Sequence, residues 1–177
     1  DVLFAVDRAG RVPGDGETHQ GIYDTGYFSQ IGIPVYSPCN YAELEYWLEA
    51  LVKTMRGPRV IRYARGEEKP ALAALGCTGK PYDMLCGADK ADTVLVSYGA
   101  ETEEILAAAE LLRHQGMAAD CCKLVQVYPL PDGLCRQLSN YKTILFAEES
   151  VATGGIGQQL CTALQAAGWQ GRFILRG

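Results

Sequence analysis

Several features are missing from this 177-residue chain, and each absence removes a class of function. No apolar run approaches the roughly 18 residues of a membrane span, so the sequence holds no membrane helix. There is no excess of basic charge: 16 Lys and Arg face 21 Asp and Glu, the formal charge is −5 and the pI is near 5.1. Phosphate neutralisation along a nucleic acid needs clustered cations, and here they are scattered. The seven cysteines, at 39, 77, 86, 121, 122, 135 and 161, form no CxxC pair and no zinc-like spacing. They read as free thiols, small buried hydrophobes, in a reducing, cytoplasmic setting. "TGGIGQQL" at 153–160 lacks the complete GxGxxG and any Walker lysine, so it reads as a tight turn before a packed helix. No internal repeat or low-complexity tract occurs. Histidine is scarce, with two copies, His19 and His114. The latter ends a helical pattern, where a cation suits the helix dipole.

What is present specifies an α/β protein. Hydrophobic residues make up 48% of the chain and charged ones 21%, enough apolar material for one large or two small cores. "VLFAV" at 2–6 reads as a buried strand of a parallel sheet. It starts almost at residue 1, which leads us to expect an excerpt that begins inside a fold. A glycine-rich loop follows, then a helical stretch "IYDTGYFSQI" and a short strand "IPVYSP". Asn40 and Glu43 have capping-box spacing, and Leu44, Trp47, Leu48, Leu51, Val52 and Met55 recur at helical steps. "RVIRY" supplies another strand, with Arg65 just beyond it.

The stretch 67–92 breaks into charges, glycines and prolines and reads as a linker, with room for a short strand. Beyond it, strands "TVLVSY", "AADCCKLVQVY", "TILFAEE" and "RFILR" alternate with helices of 10 to 15 residues. That alternation predicts mostly parallel sheets with flanking helices. The expected division is a partial α/β unit at 1–66, the linker at 67–92 and a second α/β unit at 93–177.

Ligands of open α/β sheets gather at the carboxyl ends of the strands. Asp7 and Arg8 end the first strand, "GDGETHQG" (14–21) follows on the same side, and Arg65 ends the third. Two arginines with Asp15 and His19 suit an anionic substrate, because guanidinium forks bind phosphate bidentately and histidine exchanges protons near neutral pH. Bland roles stay open residue by residue: an Asp7–Arg8 surface pair, a turn at Asp15-Gly16, a helix cap from His19. "AEES" at 147–150 places two carboxylates after a strand, read as cleft-edge or structural.

Three segments together resemble a known family. "DRAGRVPGDGETHQGIYD" is similar to the DRAG-(x)4-DGxTHxGxxD segment of the 1-deoxy-D-xylulose-5-phosphate synthases, transketolase-like enzymes that use thiamine diphosphate. "GPRVIRYARG" resembles their GPxxxRYPRG, with Ala64 in place of proline, and "AEESVATGGIGQQL" resembles their EExxxxGGxGxxV turn. The resemblance implies the second half of a pyrimidine-binding domain followed by a transketolase C-terminal domain. It implies condensation of pyruvate with glyceraldehyde 3-phosphate, with loss of carbon dioxide, toward isoprenoid, thiamine and pyridoxal synthesis. His19 and Asp15 would then be catalytic, and Arg8 and Arg65 would clamp the substrate phosphate. Thiamine diphosphate and magnesium would be held mainly by segments not in this sequence, so the chain is expected to be inactive alone and to work in a homodimer. Two alternatives accompany this reading: a beta subunit of a 2-oxoacid dehydrogenase or a transketolase, and a non-catalytic α/β docking or dimerisation module.

Overall fold

A computed structural model describes residues 1–12, 14–54, 56–85, 87 and 90–177. Pro13, Met55 and Cys86, which the sequence reading places in the loop, on the helix face and among the thiols, lie outside the described residues. The first sheet contains β1 (Leu3–Val6), β2 (Val35–Tyr36), β3 (Arg59–Arg62) and β7 (Gln126–Tyr128), in the order β1-β3-β2-β7. The second contains β4 (Tyr82–Leu85), β5 (Thr93–Tyr98), β6 (Ala119–Leu124), β8 (Thr143–Ala147) and β9 (Arg172–Arg176), in the order β4-β6-β5-β8-β9. All pairings are parallel except those of β7 with β2 and of β4 with β6. Helices α1 (Asp24–Gln30), α2 (Tyr41–Thr54), α3 (Pro70–Ala73), α4 (Thr102–His114), α5 (Leu134–Leu138) and α6 (Ile156–Ala166) connect and cover them. None is long and apolar enough to cross a membrane.

Three details differ from the sequence reading. "AADCCKLVQVY" is not one strand: Val125 and Gln126 both donate backbone N–H to the Pro81 carbonyl, at 2.9 and 3.0 Å, and the chain passes there from one sheet to the other. Every residue from Asp120 to Val125 is buried, so no alternation marks the break. The stretch read as a linker carries α3 and β4, and β4 pairs with β6 from Tyr82↔Leu124 to Leu85↔Cys121. The first strand is an edge strand rather than a buried one: β1 has β3 on one side only, and Val2 and Phe4 are 52% and 40% exposed.

Helix α2 starts as the spacing predicts. Asn40 Oδ1 accepts the Glu43 N–H at 2.8 Å, and Glu43 Oε2 reaches back to the Cys39 N–H at 2.9 Å. The main core joins both sheets: Val35 and Val60 of the first pack in one cluster with Val94, Val96, Ile144 and Phe146 of the second and with Ile156, Leu160 and Leu164 of α6. Full burial of such side chains contributes about 1.5–3 kcal/mol each, so the two sheets share the energy that orders them. On the opposite face of the second sheet, Leu95 and Cys121 pack under Ile105 of α4.

Candidate functional site

Parallel pairing of β1 with β3, Leu3↔Arg59 through Val6↔Arg62, makes the two strands end level. Tyr63 N–H to Val6 O and Ala9 N–H to Tyr63 O, both 3.0 Å, hold the chains together just beyond. Arg8 and Arg65 therefore emerge at the same carboxyl end, where α/β sheets present ligands. Arg8 has φ 55°, the one positive φ outside glycine among the described residues, a conformation that persists where surrounding structure enforces it. The enforcing contact is Gly21. It exchanges 2.9 Å backbone hydrogen bonds with Gly10, closing the loop, and a Cβ there would overlap the Arg8 carbonyl oxygen.

The closed loop places Asp15 between the arginines. Its Oδ1 accepts from Arg65 Nη1 at 2.7 Å and its Oδ2 from Arg8 Nε at 3.3 Å, while Arg8 also pairs with Asp7. Arg65 also lines a small cavity of about 160 Å³ with Cys39, Tyr41, Tyr63 and Leu72. The structure thus unites three of the four expected residues. His19 stands apart: it sits on a 3-10 turn (Glu17–His19), its N–H donates to Gly16 O at 2.9 Å, and its exposed ring lies 3.1 Å from Thr18 Oγ1. It does not cap α1, whose N-cap Tyr23 makes no side-chain capping bond.

The Arg65 hydrogen bond outweighs desolvation, which acts the other way, and with the charges of Arg65 and Arg8 it lowers the Asp15 carboxyl pKa. Asp15 therefore stays ionised to lower pH than an isolated aspartate. In an Arg65→Met variant the midpoint should return toward the ordinary carboxylate range, read by ¹³C NMR of the carboxyl carbon; an unchanged midpoint would mean that the pair does not persist in solution.

Behind the loop lies a buried polar spine absent from the sequence reading. Arg62 Nε binds Asp24 Oδ2 at 2.7 Å, Arg62 Nη2 reaches Gly21 O at 3.3 Å, and the guanidinium lies 5.4 Å from the centre of the Tyr98 ring. The Tyr98 hydroxyl donates to Glu148 Oε2 at 2.7 Å. Glu148 accepts the N–H groups of Ile156 and Gly157 at 3.2 and 3.1 Å, occupying the start of α6. Burial raises the Glu148 carboxyl pKa, with Tyr98 and these two amides opposing it. The amides of Gly154 and Gly155 in this turn are also taken within the chain, by Gln158 Oε1 at 2.6 Å and by Ala152 O at 3.2 Å, so the segment is a packed turn. A position directly after a strand and before a glycine turn was the only signal for Glu148. His114 pairs with Glu110 at 3.0 Å on the surface of α4. Among the described residues no three His, Cys, Asp or Glu side chains converge as metal ligands.

Comparison with known proteins places the chain in a family. The family model for the transketolase C-terminal domain matches residues 85–174. Curated relatives include the 1-deoxy-D-xylulose-5-phosphate synthases of Rhodococcus jostii, 31% identical over 94% of this chain and 26% of that protein, and Lachnoclostridium phytofermentans, 32% over 96% and 27%. That of a Cyanothece species is 35% identical over 93% of this chain and 27% of its own length. The chain thus spans about a quarter of the length of the curated relatives it matches. Among solved structures, a split-gene transketolase described as an inactive beta4 tetramer superposes with TM-score 0.78 at 20% identity, over 98% of this chain and 56% of that one. Pichia stipitis transketolase in complex with sedoheptulose 7-phosphate gives 0.68 at 19%, over 98% and 25%, and both likenesses speak for the fold alone. With the family model covering half of its residues, this chain belongs to the transketolase family, as a bearer of its C-terminal domain.

Proposed function

We propose that this chain is the substrate-side and C-terminal portion of a 1-deoxy-D-xylulose-5-phosphate synthase, with a partial pyrimidine-binding unit at 1–66, a connecting stretch at 67–92 and the transketolase C-terminal unit at 93–177. The observation that carries the reading is the convergence of Arg8 and Arg65 on Asp15 at the ends of two adjacent parallel strands. In this reading the substrates are pyruvate and glyceraldehyde 3-phosphate. Thiamine diphosphate supplies the carbanion chemistry when it is bound, gripped with magnesium by parts of the protein outside this sequence. The chain alone is inactive. The open edge of β1 supports a role in assembly, with a homodimer as the expected form.

The chain's own residues have separable tasks. Asp7 and Asp15 neutralise Arg8 and Arg65 in the absence of substrate and hold the guanidinium groups facing one space. A phosphate dianion offers both arginines bidentate partners of higher charge and displaces the carboxylates. Asp15, released from Arg65, is then free to accept a hydrogen bond from a substrate hydroxyl. In this reading His19, on the same loop but apart from the arginine cluster in the unliganded chain, exchanges a proton at the aldehyde oxygen as it becomes a hydroxyl. Phosphate binding orients the aldehyde, and that positioning accelerates the reaction.

The test is a calorimetric titration of the chain with glyceraldehyde 3-phosphate and with inorganic phosphate. Charge-assisted hydrogen bonds contribute about 1.5–3 kcal/mol each, so Arg65→Met should weaken both ligands about 10- to 100-fold. Equal affinities for wild type and variant would remove the clamp.

A further inference from the structure

The loop that carries Asp15 and His19 is held at both ends by a single turn of the C-terminal unit. At its far end, Val151 N–H donates to Ile22 O at 3.0 Å, and Ser150 Oγ donates to the same oxygen at 2.8 Å. Ser150 Oγ also lies 3.0 Å from Thr25 Oγ1, the two side chains buried together. At its near end, the Glu149 side chain occupies the space where Gly10 would carry a Cβ, so Gly10 and Glu149 are fitted to each other. Next to Gly10, Arg11 Nε binds Glu149 Oε1 at 3.3 Å, and Arg11 Nη2 lies 3.6 Å from Glu101 Oε2. Between the two attachments is a cleft of about 540 Å³ lined by Arg11, Ile22, Glu101, Glu149, Ser150 and Arg176. The loop is therefore tethered to the C-terminal unit at two points with open space between them.

We propose that the turn 148–154 of the C-terminal unit is a positioning element for the substrate loop, and that Arg11 and Glu149 form its clasp. Glu149 is a positioning residue: it touches no reacting group and acts through Gly10 and Arg11. Covalently, Gly10 is five residues from Asp15 and nine from His19, and the Gly10–Gly21 hydrogen bonds pass any displacement of one loop end to the other. The near-end attachment rests on a largely buried carboxylate and an exposed arginine, a pair of modest strength because the cation stays in water, so the clasp tunes the order of the loop and not the stability of the fold. This inference assigns the C-terminal unit a task in the reading proposed above and rests on that reading for its functional meaning.

Its test does not require turnover. The ¹⁵N-labelled 177-residue chain has two histidines, so the His19 ring signal can be followed with His114 as an internal reference. In Glu149→Gln and in Arg11→Gln, amide exchange at Gly10 and Gly21 should quicken about three- to tenfold, and the His19 signal should shift or broaden. Val94, Val96 and His114 should be unchanged. The double variant should fall clearly short of the sum of the two single variants, since both substitutions break the Arg11–Glu149 contact. Unchanged Gly10, Gly21 and His19 signals in both single variants, or strictly additive effects, would overturn the clasp. Should Glu149→Gln also quicken the core amides, Arg11→Gln decides, because the Arg11 side chain is 70% exposed and carries no core packing. The failure of the wild-type chain to bind phosphate would count against the proposed function and leave these exchange results standing.

Discussion

Replacing Lys123 with methionine destabilises the chain by about 3–5 kcal/mol, the range for removing one partner of a buried charge network. Lys123 of β6 is 1% exposed and meets Glu43 of α2, also 1% exposed, and Asp83 of β4 at 3.0 Å. The carboxylates are anchored in turn: Glu43 by the Cys39 N–H at 2.9 Å, Asp83 by the Thr78 hydroxyl at 2.8 Å. Methionine fills most of the lysine's volume, so the loss comes from leaving two carboxylates inside the protein without a cation. The triad ties α2 to β4 and β6 of the second sheet, and breaking it loosens that junction. Burial alone would lower the Lys123 pKa, but the hydrogen bond and charge of Glu43 reverse this and raise it. A lysine whose folded-state pKa is raised gives its full stabilisation below the ordinary lysine range and loses it as pH climbs through the raised value. At neutral pH the contribution is complete. In urea unfolding the variant should lose the stated energy, and in thermal unfolding about ten degrees, with part of the loss recovered when Glu43→Gln and Asp83→Asn are added. A loss below about 1 kcal/mol, typical of a surface pair, would show the triad to be solvated.

The second large effect is on turnover. With the chain joined to the portion of a synthase that holds thiamine diphosphate, His19→Ala should lower kcat about 10²- to 10⁴-fold, the span of general acid–base catalysis. The fold should be unaffected, because the exposed ring makes a single described hydrogen bond, to Thr18. A binding role alone would raise KM and leave kcat in place. The arginine variants should show the converse pattern, with KM for the phosphorylated aldehyde rising first, since in the proposed function Arg8 and Arg65 grip a group remote from the reacting carbon. Normal turnover in His19→Ala would remove histidine from the account.

How much of this was legible beforehand depended on how far apart the relevant residues lie in the chain. Arg8, Asp15 and Arg65 were readable because each follows a strand, and strands that run parallel deliver their ends to one place. Helix α2 was readable from its apolar period and its capping box, and α4 and α6 from the alternation of strands with helical stretches. The break between β6 and β7 was not, since both segments are buried and the residue that separates them, Pro81, lies far back in the sequence. The Lys123–Glu43–Asp83 triad was equally hidden: each member sits in a pattern that alone suggests a solvated charge, and only the packing of three distant segments buries them together. Glu148 and Glu149 show the same limit at neighbouring positions. They read as a pair of cleft-edge carboxylates, yet one turns inward to the start of α6 and the other outward to Arg11. Both lie just past the end of β8, where the chain turns, and the sequence does not say what awaits each side chain.

The most direct test of the account is the substrate preference of the chain joined to its cofactor-holding portion, supplied with [2-¹³C]pyruvate and either glyceraldehyde 3-phosphate or unphosphorylated glyceraldehyde. If Arg8 and Arg65 clamp a phosphate, kcat/KM for the phosphorylated aldehyde should exceed that for the free one by at least about 100-fold, as two charge-assisted contacts predict, and Arg65→Met should erase most of the difference. Equal rates with the two aldehydes, or a preference that survives loss of Arg65, would contradict the claim that this end of the sheet recognises a phosphorylated substrate.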